Sequence, residues 1–189
     1  PRDNMARVPT TASILPRRFE GIELRRLVPS DLQAFQSYRQ DAEIGRFQGW
    51  QEMPDAQALE FLTEMNEIPL LRPGHWTQVA IARPQPAALL GDIGLFIASD
   101  GSLAEIGFTL ARAAQGHGLG TLAARAAIDL LFEHTRVQKV IAITDVRNAP
   151  SIRLLERLGM ACLQTRGAVF RGEPCVEHHY ALSRAPQRA

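Results

Sequence analysis

The stretch from Ala104 to Glu133, AEIGFTLARAAQGHGLGTLAARAAIDLLFE, admits few folded arrangements. Leu103, Ile106, Phe108 and Leu110 form an apolar-rich run too short for a helix, and Asp100-Gly101 precedes it as a turn, so a strand is expected. Beyond the glycines, Leu119, Leu122, Ala123, Ala126 and Leu130 recur at helical spacing, while Arg125, Asp129 and Glu133 lie on another face. This predicts an amphipathic helix packed on a sheet. Gly116, Gly118 and Gly120 stand between the two elements and permit close approach of a ligand to the backbone. The first N–H groups of a helix have no intrahelical partner, and the helix dipole is positive at that end. A strand, a glycine-rich turn and a helix in this order therefore suit an anion such as a pyrophosphate.

Spacing separates the phosphate sites that use such turns. A dinucleotide fingerprint, G-x-G-x-x-G, fails because Gly118-Leu119-Gly120 is followed at once by Thr121. A nucleoside-triphosphate loop fails because no G-K-[ST] follows the glycines. What fits is Q-x-x-G-x-G, met by Gln115, Gly118 and Gly120. This resembles the [Q/R]-x-x-G-x-[G/A] signature of the GNAT superfamily of acetyl-CoA-dependent N-acetyltransferases. Downstream, Val140 to Thr144, Asn148-Ala-Pro-Ser151 and Ile152 to Gly159 resemble the strand, N-x-x-S helix and terminal L-G-[MF] of the branch that acetylates ribosomal-protein N-termini. The resemblance runs from Phe19 to Ser183. Met160 stands where phenylalanine is commoner, and Glu177 where aspartate is frequent.

The resemblance implies a mixed α/β fold (α+β): a central twisted mixed sheet of about seven strands, flanked by about four helices, with strands four and five splayed apart. Pantetheine would lie in the splay, bonded to the backbone of Phe108, Leu110 and Arg112 as an added strand would be. The turn formed by Gln115, Gly116, His117, Gly118, Leu119, Gly120 and Thr121 would hold the pyrophosphate. The resemblance assigns Asn148 to pantetheine, Ser151 to protonation of the departing thiolate and Glu105 to the role of base. The residues themselves leave other readings open. Asn148 also suits a helix N-cap, Ser151 an ordinary first-turn position and Glu105 a solvated or orienting carboxylate. His117, inside the turn, is read as facing solvent or phosphate. The expected activity is acetyl transfer from acetyl-CoA to a primary amine by direct attack in a ternary complex. The amine is a protein N-terminus, an aminoglycoside or polyamine, or a small metabolite. The alternative is a catalytically silent CoA-binding sensor or partner-binding module, which the intact Gln115, Gly118, Gly120, Asn148 and Ser151 argue against.

Composition narrows the partners. With 189 residues, 46% of them hydrophobic, the chain can bury one core, and a single domain over residues 19–185 is expected. A net charge of +1 without a basic run argues against a nucleic-acid surface. No stretch approaches the roughly 20 apolar residues of a membrane span. Cys162 and Cys175 lack a C-x-x-C partner, which suits a reducing cytoplasm. No metal site is expected, because His178 and His179, beside Glu177, should point to opposite faces of a strand. A monomer or homodimer is the expected state.

Read in order, residues 1–18 suggest a flexible tail, with Met5 a candidate first residue and 1–4 not native. Ile22, Leu24 and Leu27 predict a first strand, closed by Pro29, and Ser30-Asp31 a cap for a helix facing Leu32, Phe35 and Tyr38 inward. Asp41 to Met53 loses periodicity and carries Phe47 and Trp50, which either grip substrate or pack the loop down. Pro54 opens a second helix with Ala58, Leu59, Leu62 and Met65 on its apolar side. His75–Ala82 and Leu89–Ala98 predict a hairpin joined by Arg83–Ala88, with Asp92 and Gly94 marking a bulge or a close approach of substrate. A strand from Lys139 should lie parallel to the central one through a right-handed crossover. Cys162–Thr165 and His178–Ser183 predict a last hairpin with Arg166–Glu177 as a mobile connection. Asp92, Glu177, Glu43 and Glu173 are the carboxylates that could meet a cationic amine.

Overall fold

Alternation along the third strand shows how the sheet is built. Val79 and Ile81 turn to one face and Ala80 to the other, and all three are buried, so both faces of the sheet must be covered. The computed structural model describes residues 14–185. Its strands are β1 (Arg17–Phe19), β2 (Ile22–Arg26), β3 (Trp76–Pro84), β4 (Ala87–Ile97), β5 (Leu103–Leu110), β6 (Lys139–Asp145), β7 (Ala161–Phe170) and β8 (Glu173–Ser183). The helices are α1 (Leu32–Arg39), α2 (Ala42–Gly45), α3 (Asp55–Glu67), α4 (Leu119–His134) and α5 (Ala149–Arg157). All eight strands form one sheet in the order β1-β2-β3-β4-β5-β6-β8-β7. The single parallel pair among the described residues is β5 with β6, joined through α4.

One core cluster joins Ile93, Leu95 and Ile106 of the sheet to Ala123, Ala127, Leu130 and Leu131 of α4 and Leu155 of α5. The alanines let α4 lie close to the strands. On the other face, Phe35 and Tyr38 of α1 pack with Ala58, Leu62 and Met65 of α3 on Ala80 and Leu89. Each large side chain buried in this way stabilises the fold by about 1.5–3 kcal/mol.

The expected mixed fold is present, with one strand and one helix more than foreseen. The extra strand is β1: Arg17 and Arg18 pair with Leu24 and Glu23, while Leu15 is buried and Arg17 meets Glu133 of α4. Residues 14–18 are therefore part of the fold and not a tail; the calls on residues 1–13 lie outside the described residues. The extra helix is the single turn α2 within the aperiodic 41–53 stretch, capped by the Asp41 carboxylate, which accepts from the N–H groups of Glu43 and Ile44. Asp31 does not cap α1 with its side chain. It accepts instead from both terminal nitrogens of Arg25 and from the N–H of Val28. Leu59 is 41% exposed and is not on the inner face of α3.

Two hairpins are tighter than expected. β3 and β4 run on to Pro84 and Ala87, leaving Gln85-Pro86 as the turn. Their register slips by one residue at Leu90, so the bulge is not at Asp92 or Gly94; the space over Gly94 is filled by Gln78 and Trp76, not by a ligand. The connection expected to be mobile, Arg166–Glu177, is mostly strand, and β7 and β8 turn at Arg171-Gly172 with φ of 52° and 81°. Positive φ at both central residues gives the turn whose twist matches that of a hairpin.

Candidate active site

The ladder between β5 and β6 stops early. It pairs Leu103, Ala104 and Glu105 with Lys139, Val140 and Ile141 and then ends, so the two strands splay. On its other edge β5 stays paired with β4 as far as Leu110. Ala111 donates to Leu90 and Leu103 accepts from Ala98, so the odd-numbered residues of β5 bond toward β4. By alternation, the backbone groups of Phe108 and Leu110 turn toward the splay. Two glutamine amides cover their carbonyls: Gln48 donates to Phe108 at 3.3 Å and Gln115 to Leu110 at 3.0 Å. Gln115 thus braces the turn against the strand end.

After β5 the chain makes a 3-10 turn over Arg112–Ala114 and enters the glycine loop. Gly118 is the N-cap of α4 at φ 77°, a left-handed conformation that side chains with a Cβ adopt only with strain. The N–H groups of Gly116, His117, Gly118, Leu119 and Gly120 have no partner among the described residues, whereas that of Thr121 is spent on the Gly118 carbonyl at 3.0 Å. Five consecutive free donors at the positive end of a 16-residue helix fit a pyrophosphate. Gly120 is needed for another reason. A Cβ there would lie 2.9 Å from Leu154 and 3.1 Å from Leu110, so its small size serves the packing of α4 on α5 and β5. His117 is exposed. Arg112 does not turn to the splay with its side chain; it holds Asp41 at 2.7 Å and so ties the loop to α2.

Asn148 N-caps α5, accepting from the N–H of Ser151 at 3.3 Å. Ser151 is half-buried in the first turn of α5, just beyond the end of β6.

Glu105 and Glu177 come together. With Phe47, Gly49, Ile143, Thr144, Asp145, Phe170 and Cys175 they line a cavity of about 270 Å³. Burial, and then the Glu177 carboxylate, push Glu105 above the ordinary carboxylate value. Asp145 is held below its ordinary value by hydrogen bonds from Arg147. His179 Nε2 lies 3.6 Å from Glu177 and accepts from Arg166 Nε at 3.0 Å. His178 turns the other way, to Thr165. Phe47 sits with Arg46 and Arg147 over its ring, at 5.1 and 5.9 Å.

Asp92 is not in this site. It is 2% exposed, accepts from Tyr38 at 2.6 Å and from Arg39 at 2.8 Å, and fixes α1 to β4. Trp50 does not line the Glu105 cavity; the Arg39 guanidinium lies 4.6 Å over its ring. Sequence reasoning missed Gln48, Arg39 and Arg171. Arg171 donates to the carbonyls of Gln48 and Trp50 and clamps the aromatic loop to the β7–β8 turn. An isolated arginine in a hairpin turn carries no sequence signal for such a clamp.

The Acetyltransferase (GNAT) domain family model matches residues 22–161. The chain belongs to the GNAT acetyltransferase family. It is an acetyltransferase, of a family that uses acetyl-CoA. It is 26% identical over 141 residues, 74% of this chain and 78% of the relative, to uncharacterized N-acetyltransferase p20 of Bacillus licheniformis. Among solved structures, a GNAT-family acetyltransferase from Bacillus anthracis superposes with a TM-score of 0.79 at 18% identity, covering 89% of this chain and 98% of its own. A ribosomal-protein-S5-alanine acetyltransferase from Vibrio fischeri gives 0.75 at 16% identity, covering 93% and 100%. Spermidine N-acetyltransferase from Vibrio cholerae, in complex with CoA and spermine, gives 0.72 at 18%, covering 86% and 95%. At these identities the structures share the GNAT fold with this chain.

Proposed function

We propose that this GNAT enzyme transfers acetyl from acetyl-CoA to a primary amine by direct attack, with the amine entering the cavity between Glu105 and Glu177. The observation that carries this reading is the pair of carboxylates facing one small cavity beside the splay, one of them raised toward the range where a base works at neutral pH. Acetyl-CoA supplies the activated thioester. The free N–H groups from Gly116 to Gly120 would receive its pyrophosphate, and the β5 edge at Phe108 and Leu110, together with Asn148, its pantetheine. Gln48 and Gln115 already hold those two carbonyls, so the side chain of Gln48 would turn away as the cofactor's amide arrives.

The negative charge of Glu177 draws the ammonium form into the cavity. Glu105 takes one proton, directly or through water. The neutral nitrogen forms the C–N bond to the acetyl carbon while the C–S bond breaks, and the oxygen's developing charge meets a backbone N–H near Leu110. The Ser151 hydroxyl gives the sulfur its proton and is reprotonated by the second proton that the nitrogen sheds once the C–N bond has formed. No acyl-enzyme is needed: burial and the nearby Glu177 and Asp145 carboxylates push the Cys175 thiol up, away from the thiolate a nucleophile requires.

Calorimetric titration with acetyl-CoA, CoA, NAD and ATP, followed by thiol release with a panel of amines, tests the reading. Selective binding of the two CoA species with amine-dependent thiol release is expected. CoA binding without turnover on any amine would favour a silent CoA-binding module, and no CoA binding would overturn the turn's assignment.

A further inference from the structure

A glycine inside a strand weakens it, because it loses more freedom on folding than other residues and has no side chain to pack. Each one therefore calls for a cause. Seven of the 14 glycines have a positive φ. At four more, Gly45, Gly91, Gly94 and Gly120, a Cβ would stand within 3.4 Å of a neighbouring atom. Gly49, Gly107 and Gly167 have neither cause: none has a positive φ, and a Cβ built on any of them meets nothing within 4 Å.

Two of the three border the amine cavity. Gly49 lines it. Gly107 is exposed in the middle of β5, two residues beyond Glu105 and so on the same face of the sheet, where the ladder to β6 has already stopped. Its partner on β4, Gly94, is covered by Gln78 and Trp76, so the open space begins at Gly107. Gln48, next to Gly49, donates to the carbonyl of Phe108, next to Gly107, which puts both glycines at one junction of loop and strand. Gly167 is elsewhere. It pairs with Val176, and by alternation that pair turns away from the face on which Cys175 and Glu177 line the cavity.

On the reading that the amine enters between Glu105 and Glu177, we propose that Gly107 and Gly49 are specificity-determining residues for the acceptor. A nitrogen on an unbranched carbon brings only hydrogens past this junction. The two missing side chains leave room for a substituent as well. The substrate class is then a primary amine on a branched carbon, whether in a small molecule or at the start of a polypeptide.

Alaninamide and β-alaninamide are isomers whose nitrogen sits on a branched and an unbranched carbon. The test is the ratio of their kcat/KM values, read by thiol release at saturating acetyl-CoA; the ratio cancels any effect of a variant on the cofactor. Wild type should use alaninamide. The ratio of alaninamide to β-alaninamide should fall at least about tenfold in Gly107→Val, with Gly107→Ala between it and wild type and Gly49→Ala also lowered. Gly167→Ala should keep the wild-type ratio. Alanine costs a strand less than glycine does, so Gly107→Ala should melt at or above the wild-type temperature while its selectivity falls. An unchanged ratio in the Gly107 variants or in Gly49→Ala overturns the assignment of that residue. A Gly107→Ala that melts below wild type, or a wild type that acetylates unbranched amines but not alaninamide, overturns the proposal alone. A wild type that releases no thiol with any amine overturns it together with the acetyl-transfer reading on which it rests.

Discussion

Glu105 is half-buried, with a second carboxylate as its neighbour and no ion-pair partner among the described residues, which is a poor place for stability and a good one for a base. Its folded pKa is raised, so the native state holds the proton more tightly than the unfolded chain does. Its contribution to stability therefore declines as pH rises from the ordinary carboxylate value through the folded one. Glu105→Gln should accordingly unfold at a higher temperature than wild type at pH 8 and lose that advantage near pH 4, as read by thermal melts. Glu177→Gln removes one cause of the upward shift, so the acid limb of the pH–rate profile for acetyl transfer should move to lower pH. A limb that stays in place would show that the titrating base is not Glu105. The residue type at 105 was legible in the sequence, but its facing was not, because period two needs a register. The pairing of Glu105 with Phe96 and with Ile141 supplies it. Asp92 illustrates the opposite failure: a carboxylate that looked available is closed into a buried network by Tyr38 and Arg39, which are remote in sequence.

Among elements, the strand, turn and helix from Leu103 to His134 were readable because propensity, periodicity and glycine placement agree there. β1 was not, since Arg17-Arg18-Phe19 offers one apolar residue and acquires strand geometry only from β2. β7 was not either: Leu163 and Val169 are 63% and 72% exposed, so this edge strand shows no inside-outside alternation to read. The glycines of the turn can be separated by experiment. Gly118→Ala forces a Cβ into φ 77° at an open site, so it should cost about 1–2 kcal/mol in urea unfolding and raise the acetyl-CoA KM by disturbing the free donors. Gly120→Ala presses on the flexible tips of Leu154 and Leu110; overpacking there should cost about 1–3 kcal/mol and act mainly on stability. Asn148→Ala removes the cap of α5 and should cost about 0.5–2 kcal/mol; a larger effect on acetyl-CoA KM than this cost accounts for would show the cofactor contact.

At the scale of the molecule, the sheet carries a core on each face, and one buried ion pair joins α1 to the central strands. Both side chains of the Arg39–Asp92 pair are 3% exposed, and Arg39 lies between the rings of Phe35 and Trp50. Removing one partner leaves a buried charge, so Asp92→Ala should cost about 3–5 kcal/mol in chemical unfolding. The pair also sets the floor on which the loop carrying Phe47, Gln48 and Trp50 rests, while Arg171 and the Arg112–Asp41 pair fasten that loop to the hairpin tip and the glycine turn. The glycine turn, the Glu105–Glu177 cavity and the larger cavity beside Trp50 are thus parts of one braced surface around the splayed strands. In the proposed reaction, Glu105 takes the proton from the attacking amine. The most direct test is amine-dependent thiol release at saturating acetyl-CoA, for wild type and Glu105→Gln, across pH. A base at this position makes kcat lower by about 10²–10⁴ in Glu105→Gln, with acetyl-CoA affinity unchanged and the wild-type acid limb gone. A variant that keeps the wild-type rate and pH profile would contradict it.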